Sequence, residues 1–273
     1  MSSNRIDLLV TFDKNYIPPF QTMLKSLVLN NPRETFHIWL LHSEIPLEML
    51  QEVEEYCAKQ GAAMTSINVE RSVFKNAPVS KRYPQEMYYR LLAPLILPKS
   101  IKKILYLDPD ILIINSIRPL WETELGNYIF AAASHVGVTG VINDINRVRL
   151  RVDHDYYNSG VMLMDLTKAR SIVNVEEIFQ CVREHKEELL LPDQDIFNYL
   201  YGKQTLPLDD AIWNYDARKY SNYLLRSGGN YDMDWITRNT VVLHFCGKSK
   251  PWKHSQNNRF AMLYKHYMQI SIR

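Results

Sequence analysis

The feature that narrows the fold most is the exchange of short apolar runs with helical periodicity along residues 6–69. Ile6 to Phe12 is an apolar run of strand length. Pro18 and Pro19 then open a helix with Phe20, Leu24, Leu27 and Val28 on its apolar face, ended by Asn30, Asn31 and Pro32. Phe36 to Leu41 reads as a second strand, Leu47 to Gln60 as a helix stopped by Gly61, and Met64 to Val69 as a third strand. A helix between successive strands makes them parallel and covers the sheet faces, so the fold class is α/β with an open, largely parallel start.

Further along, Pro84 begins a helix with Met87, Leu91, Leu92 and Leu95 on its buried side, and Pro94 predicts a kink or an early end. Ile104 to Leu107 and Ile111 to Ile114 are buried-strand runs on either side of Asp108-Pro109-Asp110. Tyr128 to Ala133 is another strand, and the polar, basic stretch Gly137 to Asp153 is expected to be a mobile excursion over a cleft. Tyr156 to Leu166 carries the strand Gly160 to Met164, followed by helices over Val175 to Leu190 and from Pro192 onward. Asp209 to Asp234 is aromatic and polar, without a period that assigns it. Thr240 to Phe245 is the last strand, and Asn258 to Ile270 a closing helix. With no repeat and no break in composition, residues 1–273 are expected to form a single domain.

Charge is nearly balanced, with 32 Lys+Arg against 30 Asp+Glu and no long run of one sign, which argues against a nucleic-acid partner. Cys57, Cys181 and Cys246 have no zinc-type spacing and suit a reducing compartment. Met1 to Asp7 lacks a secretion signal, and the longest apolar runs, such as Leu91 to Leu97, are too short to span a bilayer. A cytoplasmic protein is expected.

Two carboxylates two residues apart leave an extended chain on the same side, so Asp108 and Asp110 are placed to face one ion at a strand end. Hard divalent ions take such oxygens together with phosphate oxygens. His244 ends the last strand, with Gly247, Lys248 and Lys250 just beyond. An imidazole shifts the preference from Mg²⁺ toward Mn²⁺, glycine lets backbone approach phosphate, and lysine supplies charge to it. In the loop after the first strand, Asp13 and Asn15 are placed to hydrogen-bond a base or ribose and Tyr16 to stack on a base. No Gly-x-Gly-x-x-Gly or Gly-Lys-Ser/Thr occurs there. Each piece has an ordinary explanation when taken alone: an acidic turn, a core histidine, a helix-entry turn. Asp193-Gln194-Asp195 likewise matches the common preference for acids in a helix's first turn.

Taken in order, Tyr106-Leu107-Asp108-Pro109-Asp110, Asn158-Ser159-Gly160-Val161, Asp193-Gln194-Asp195 and His244-Phe245-Cys246-Gly247 through Lys250-Pro251-Trp252 make the chain resemble a family 8 glycosyltransferase. This is the retaining group that contains glycogenin and bacterial lipopolysaccharide galactosyl- and glucosyltransferases. The resemblance spans nearly the whole chain and implies a GT-A fold, a mixed central sheet with a Rossmann-like nucleotide-binding half. It implies Asp108, Asp110 and His244 as ligands of Mn²⁺, or Mg²⁺, on the diphosphate of UDP-glucose or UDP-galactose. It further implies Thr11, Asp13, Asn15, Tyr16 and the Pro109 backbone around the uridine, and Gly247 and Lys250 on the phosphates. Arg90 would face the sugar or diphosphate, with Asn158, Asp193 and Gln194 lining the donor sugar and acceptor. The acceptor would be a glycan, glycolipid or glycoprotein.

The chain departs from the common pattern at Lys14 and Ser134, where many members carry acids. No long basic tail follows Trp252, so membrane contact is expected to be at most weak and peripheral, through Arg259, Lys265 and Arg273. Two other activities share parts of this signature. A sugar nucleotidyltransferase would need a glycine-rich nucleotide loop, and Val10 to Tyr16 has no glycine. A catalytically silent nucleotide-sugar-binding module would keep the binding residues without turnover.

Overall fold

The structure is a computed structural model, and it describes residues 5–69, 88–135, 141–253 and 258–272. The start follows the expected alternation: β1 (Arg5–Thr11), α1 (Ile17–Asn30), β2 (Thr35–His42), α2 (Leu47–Lys59) and β3 (Ala62–Asn68). After α3 (Tyr89–Ile96) come β4 (Lys103–Leu107), β5 (Ile111–Ile113), α4 (Arg118–Glu122), β6 (Phe130–Ser134) and α5 (Val141–Leu150). The chain continues through β7 (Tyr157–Asp165), α6 (Leu166–Ile172), α7 (Val175–Glu184), α8 (Pro192–Tyr201), β8 (Thr205–Leu208) and α9 (Asp210–Trp213). It closes with β9 (Tyr215–Asp216), α10 (Tyr220–Arg226), α11 (Met233–Asn239), β10 (Val242–His244) and α12 (Ala261–Ser271).

The strands form a seven-stranded sheet in the order β3-β2-β1-β4-β7-β6-β8 and a three-stranded sheet in the order β5-β10-β9. In the large sheet only β7 runs against the rest, pairing antiparallel with β4 and β6. Strand pleating sends Leu9, Ile104 and Tyr106 to one face and Leu8, Val10, Leu105 and Leu107 to the other, so each face carries its own core. Phe20, Leu24 and Leu27 of α1 and Val53 of α2 cover one face, while Leu92 of α3, Phe179 of α7 and Phe197 of α8 cover the other. A third cluster, including Leu112, Tyr215, Leu243, Phe245, Phe260 and Tyr264, packs the small sheet against α12.

Several sequence expectations change. The two apolar runs around Asp108-Pro109-Asp110, read as buried strands on either side of the carboxylates, lie in different sheets: β4 belongs to the large sheet and β5 to the small one. Asp108 to Asp110 is the turn by which the chain crosses between them, so the carboxylates converge through the turn and not through an extended register. Pro109 suits that crossing because it has no N–H to leave unpaired. Residues 137–153, expected as a mobile excursion, contain α5. The helix from Val175 stops at Glu184 instead of Leu190. Leu95, expected on the buried side of α3, is 45% exposed, while Leu91 and Leu92 of the same helix are buried. Pro84 and Met87 lie outside the described residues. Tyr215, in the stretch without an assignable period, is fully buried and stacked on Tyr223 at 4.0 Å between ring centroids. Among the described residues, no helix is long and apolar enough to cross a membrane.

Candidate active site

The crossing turn brings three separate chain segments to one point. Asp108 follows β4, where its N–H extends the ladder to the Gly160 carbonyl at 2.8 Å. Asp110 precedes β5, and its carbonyl accepts from the Phe245 N–H at 3.0 Å. His244 ends β10, paired with Ile111 on one side and Asp216 on the other. One ligand-capable atom from each of Asp108, Asp110 and His244 lies within 4.8 Å of the others. His244 Nε2 is 3.3 Å from Asp110 Oδ1 and 3.7 Å from Asp108 Oδ2. Space for this convergence is made on β7: a Cβ at Gly160 would lie 2.3 Å from His244 Cε1 and 2.7 Å from Asp108 Oδ2. Glycine is needed there for close approach.

A hydrogen-bonded chain orients the cluster. His244 Nδ1 lies 2.8 Å from Asn214 Oδ1. Because Asn214 Nδ2 is committed to Asn158 Oδ1 at 2.9 Å, its Oδ1 accepts, the proton sits on His244 Nδ1, and Nε2 points at the carboxylates. Asn158 Nδ2 in turn donates to Gln194 Oε1 at 2.9 Å, which ties the cluster to the start of α8. On the other side Tyr106 donates to Asp108 Oδ1 at 2.5 Å, with Thr11 Oγ1 3.4 Å from the phenol oxygen. Two carboxylates and an imidazole with its second nitrogen anchored are a donor set that fits a divalent cation such as Mn²⁺ or Mg²⁺.

Positive charge already gathers here. Lys250 Nζ contacts Asp110 and donates to the Phe245 carbonyl at 3.0 Å. Burial alone would raise the Asp110 carboxyl, but His244 and Lys250 reverse this and hold it below the usual carboxylate range. Burial likewise opposes the His244 imidazolium, yet Cys246 and Asp110 outweigh it and raise its pKa well above the ordinary value. The lysine, and the imidazole when protonated, supply Asp110 with charge of the kind a divalent ion would bring. Arg90 Nη1 bridges Asp108 at 3.1 Å and Asp193 at 3.3 Å, with its guanidinium 4.5 Å from the Tyr106 ring centroid.

Two cavities lie beside this cluster and share the Gly247 wall. One, of about 470 Å³, is bordered by Arg90, Asp108, Asp110, Asn158, Asp193, Gln194 and His244. The other, of about 560 Å³, is bordered by Asn15, Tyr16, Lys248, Lys250, Trp252 and Lys253. Gly247, at φ +83°, borders both. Most of the expected site residues are thus brought together. Thr11, Asp13 and Pro109 border neither cavity: Thr11 is buried behind Tyr106, Pro109 is buried in the turn, and Asp13 caps the 3-10 turn Lys14–Tyr16 by accepting from the Asn15 N–H at 2.8 Å.

A sequence profile described as Glycosyl transferase family 8 matches residues 7–256. The chain belongs to that family. This family 8 glycosyltransferase is 28% identical over 267 residues to General stress protein A of Bacillus subtilis (strain 168), covering 95% of this chain and 91% of that protein. It is 24% identical over 269 residues to a lipopolysaccharide 1,2-glucosyltransferase of Escherichia coli, covering 95% of this chain and 76% of that one. Its fold matches the crystal structure of galactosyltransferase LgtC in complex with donor and acceptor sugar analogues, with a TM-score of 0.81 at 23% identity over 97% of this chain and 96% of that chain. The arrangement is the GT-A fold.

Sequence reasoning missed Asn214, which orients His244. Asn214 lies in the unassigned stretch, and a neutral amide between Trp213 and Tyr215 carries no charge or spacing signal. Asp195, the third member of Asp193-Gln194-Asp195, does not border the cavity. It is fully buried, accepting from Arg149, from Tyr156 and from the backbone N–H groups of Leu190 and Leu191.

Proposed function

We propose that this chain is a retaining hexosyltransferase that moves glucose or galactose from a UDP-sugar to a glycan, glycolipid or glycoprotein acceptor, dependent on Mn²⁺ or Mg²⁺. The observation that carries the reading is the convergence of Asp108, Asp110 and His244 on the wall of one cavity that shares Gly247 with a second, each within the roughly 300–1,000 Å³ typical of small-ligand sites. The nucleotide is assigned to the cavity of Asn15, Tyr16 and Trp252, with Thr11, Asp13 and Pro109 shaping that side from behind. The hexose is assigned to the cavity of Arg90, Asn158, Asp193 and Gln194. A bound divalent ion would neutralise the charge that grows on the departing diphosphate.

The chain's own residues do the rest. Lys250 and the Gly247 backbone are placed to take phosphate oxygens at the boundary between the cavities. Arg90 brings a fixed cation to the sugar side, held by two carboxylates so that it need not reorganise. Asp193 accepts from Ser159 Oγ at 3.3 Å through the same oxygen that meets Arg90, leaving its other oxygen for a sugar hydroxyl. Asn158 fixes the Gln194 amide beside the reacting centre. On this reading residues 1–273 act as a single unit in the cytoplasm, with at most peripheral contact at the inner membrane surface.

The test is donor turnover. Purified protein with Mn²⁺ should release UDP from UDP-glucose or UDP-galactose, and Asp110→Asn should lower that rate by at least about 10²-fold, the scale of losing one transition-state charge contact. No UDP release across a donor panel, with UDP still bound, would instead identify a binding module.

A further inference from the structure

A second cluster stands beside the first, and the proposed transfer gives it no role. One ligand-capable atom from each of His135, Asp216 and Cys246 lies within 4.8 Å of the others. His135 follows β6 just past a register shift between Ala132 and Ser134, Asp216 ends β9, and Cys246 comes two residues after His244. His135 and Cys246 border the sugar-side cavity, Asp216 is fully buried, and the His135 ring centroid is 6.5 Å from that of His244.

The donor chemistry differs between the clusters. The first offers two carboxylates and an imidazole; the second replaces one carboxylate with a thiol. Sulfur together with imidazole and carboxylate selects a softer ion, above all Zn²⁺. Tetrahedral zinc with bonds of about 2.0–2.3 Å sets its ligands roughly 3–4 Å apart, so a small side-chain movement closes the cluster onto an ion.

One ring nitrogen of His135 is already anchored. Its Nε2 lies 2.7 Å from the Asn214 carbonyl oxygen. A carbonyl only accepts, so Nε2 carries the proton and Nδ1 keeps its lone pair. Metal-binding histidines are commonly held this way, with the second nitrogen donating to a carbonyl. Asp216 is held by Arg218, through Nε at 2.8 Å and Nη2 at 2.7 Å, and Lys219 Nζ is 3.5 Å away. Those cations fix the carboxylate but oppose an incoming ion, so occupancy would be reversible, unlike that of a structural zinc.

We propose that His135, Asp216 and Cys246 form a second cation site that prefers Zn²⁺ to Mn²⁺ and inhibits transfer when filled. On loading, the Zn–S bond forms as the Cys246 thiol gives its proton to solvent, and a water completes the shell. Inhibition follows because the ion would pin Cys246, which directly precedes the Gly247 backbone shared by both cavities. Binding does not depend on the hexosyltransferase reading; only the inhibition rests on it.

Co²⁺ separates the two clusters, because the first contains no sulfur. Titrating the full chain with Co²⁺ should produce a thiolate-to-cobalt absorption band that Zn²⁺ abolishes. The band should persist in Asp110→Asn, vanish in Cys246→Ser, and need at least ten-fold more Co²⁺ in His135→Gln. Circular dichroism would check that each variant is folded, and His135→Ala provides a second replacement. No band, a band indifferent to both His135 variants, or a band lost with Asp110→Asn would overturn the proposal. The zinc concentration that halves UDP release should rise at least ten-fold in Cys246→Ser, judged against that variant's own uninhibited rate. If no donor is turned over, the cobalt spectrum still decides the site.

Discussion

Asn214 serves both histidines of the cleft: its side-chain oxygen accepts from His244 and its backbone oxygen from His135. Asn214→Ala removes the first and spares the second. Losing the group that orients a metal-binding imidazole typically costs about 10–100-fold in metal affinity, and that is the expected loss for Mn²⁺, read from free Mn²⁺ by electron paramagnetic resonance. Asn214→Asp, which keeps an acceptor, should recover most of it. His135 gives a prediction in pH. Burial first, with help from His244 and Lys219 and against Asp216 and Asp210, pushes its pKa down to about 4. The unfolded chain, with an imidazole near about 6.5, binds more protons between those values, so stability falls as pH drops through that window. About 2 kcal/mol should be lost between pH 7 and 5 through this group; denaturant titrations should show a smaller loss in His135→Gln. Charged and ring residues such as Asp108, Asp110, His244 and Lys250 were legible in the sequence because their chemistry is costly to bury without a purpose. Asn214 was not, since an amide is neutral and its role comes entirely from where β9 and β10 place it.

At the level of elements, the parallel strands β1 to β3 are legible because strands buried on both faces are continuous apolar runs bounded by helices. The short helices α9, α10 and α11 are not: α9 has four residues and is started by the Asp209 side chain accepting from the Ala211 N–H, too short for any period to show. The crossing at Asp108-Pro109-Asp110 was not legible for a related reason, since apolar runs do not disclose which sheet they join. Gly160 on β7 is where element and site meet. In Gly160→Ala the new methyl would press on His244 and Asp108; overpacking of this kind costs about 1–3 kcal/mol, and Mn²⁺ affinity should fall by at least about ten-fold as the ligands separate. Calorimetric titration beside thermal unfolding would separate the two effects; unchanged Mn²⁺ affinity would show that the strand, not the ligands, yields. The buried Asp195 makes another prediction. It links α5 to the start of α8 through Arg149, at 2.7 and 2.9 Å. Removing one partner of a buried pair costs about 3–5 kcal/mol, and the Tyr156 and backbone donors that remain put Arg149→Ala near about 3 kcal/mol in denaturant titrations. Adding Asp195→Asn should return part of that loss, because the stranded charge goes with it.

The described residues form two sheets joined at the proposed cation site. Asp108 hangs from the large sheet, Asp110 and His244 from the small one, and the connecting turn is a single proline long. A ligand held by residues of both sheets binds only while both are folded, so its free energy of binding stabilises the pair together. With Mn²⁺ at a hundred times its dissociation constant, the gain is about 2.7 kcal/mol. For a chain of this size each kcal/mol moves Tm by about 2–4 °C, so the expected rise is roughly 5–11 °C. Differential scanning calorimetry should show one transition that moves as a unit. Asp110→Asn, which removes a ligand from the small sheet alone, should abolish the metal-dependent part of the shift across the entire transition. A scan that split, with only one component responding to Mn²⁺, would mean that the sheets unfold independently and that the crossing turn is a tether instead of a joint.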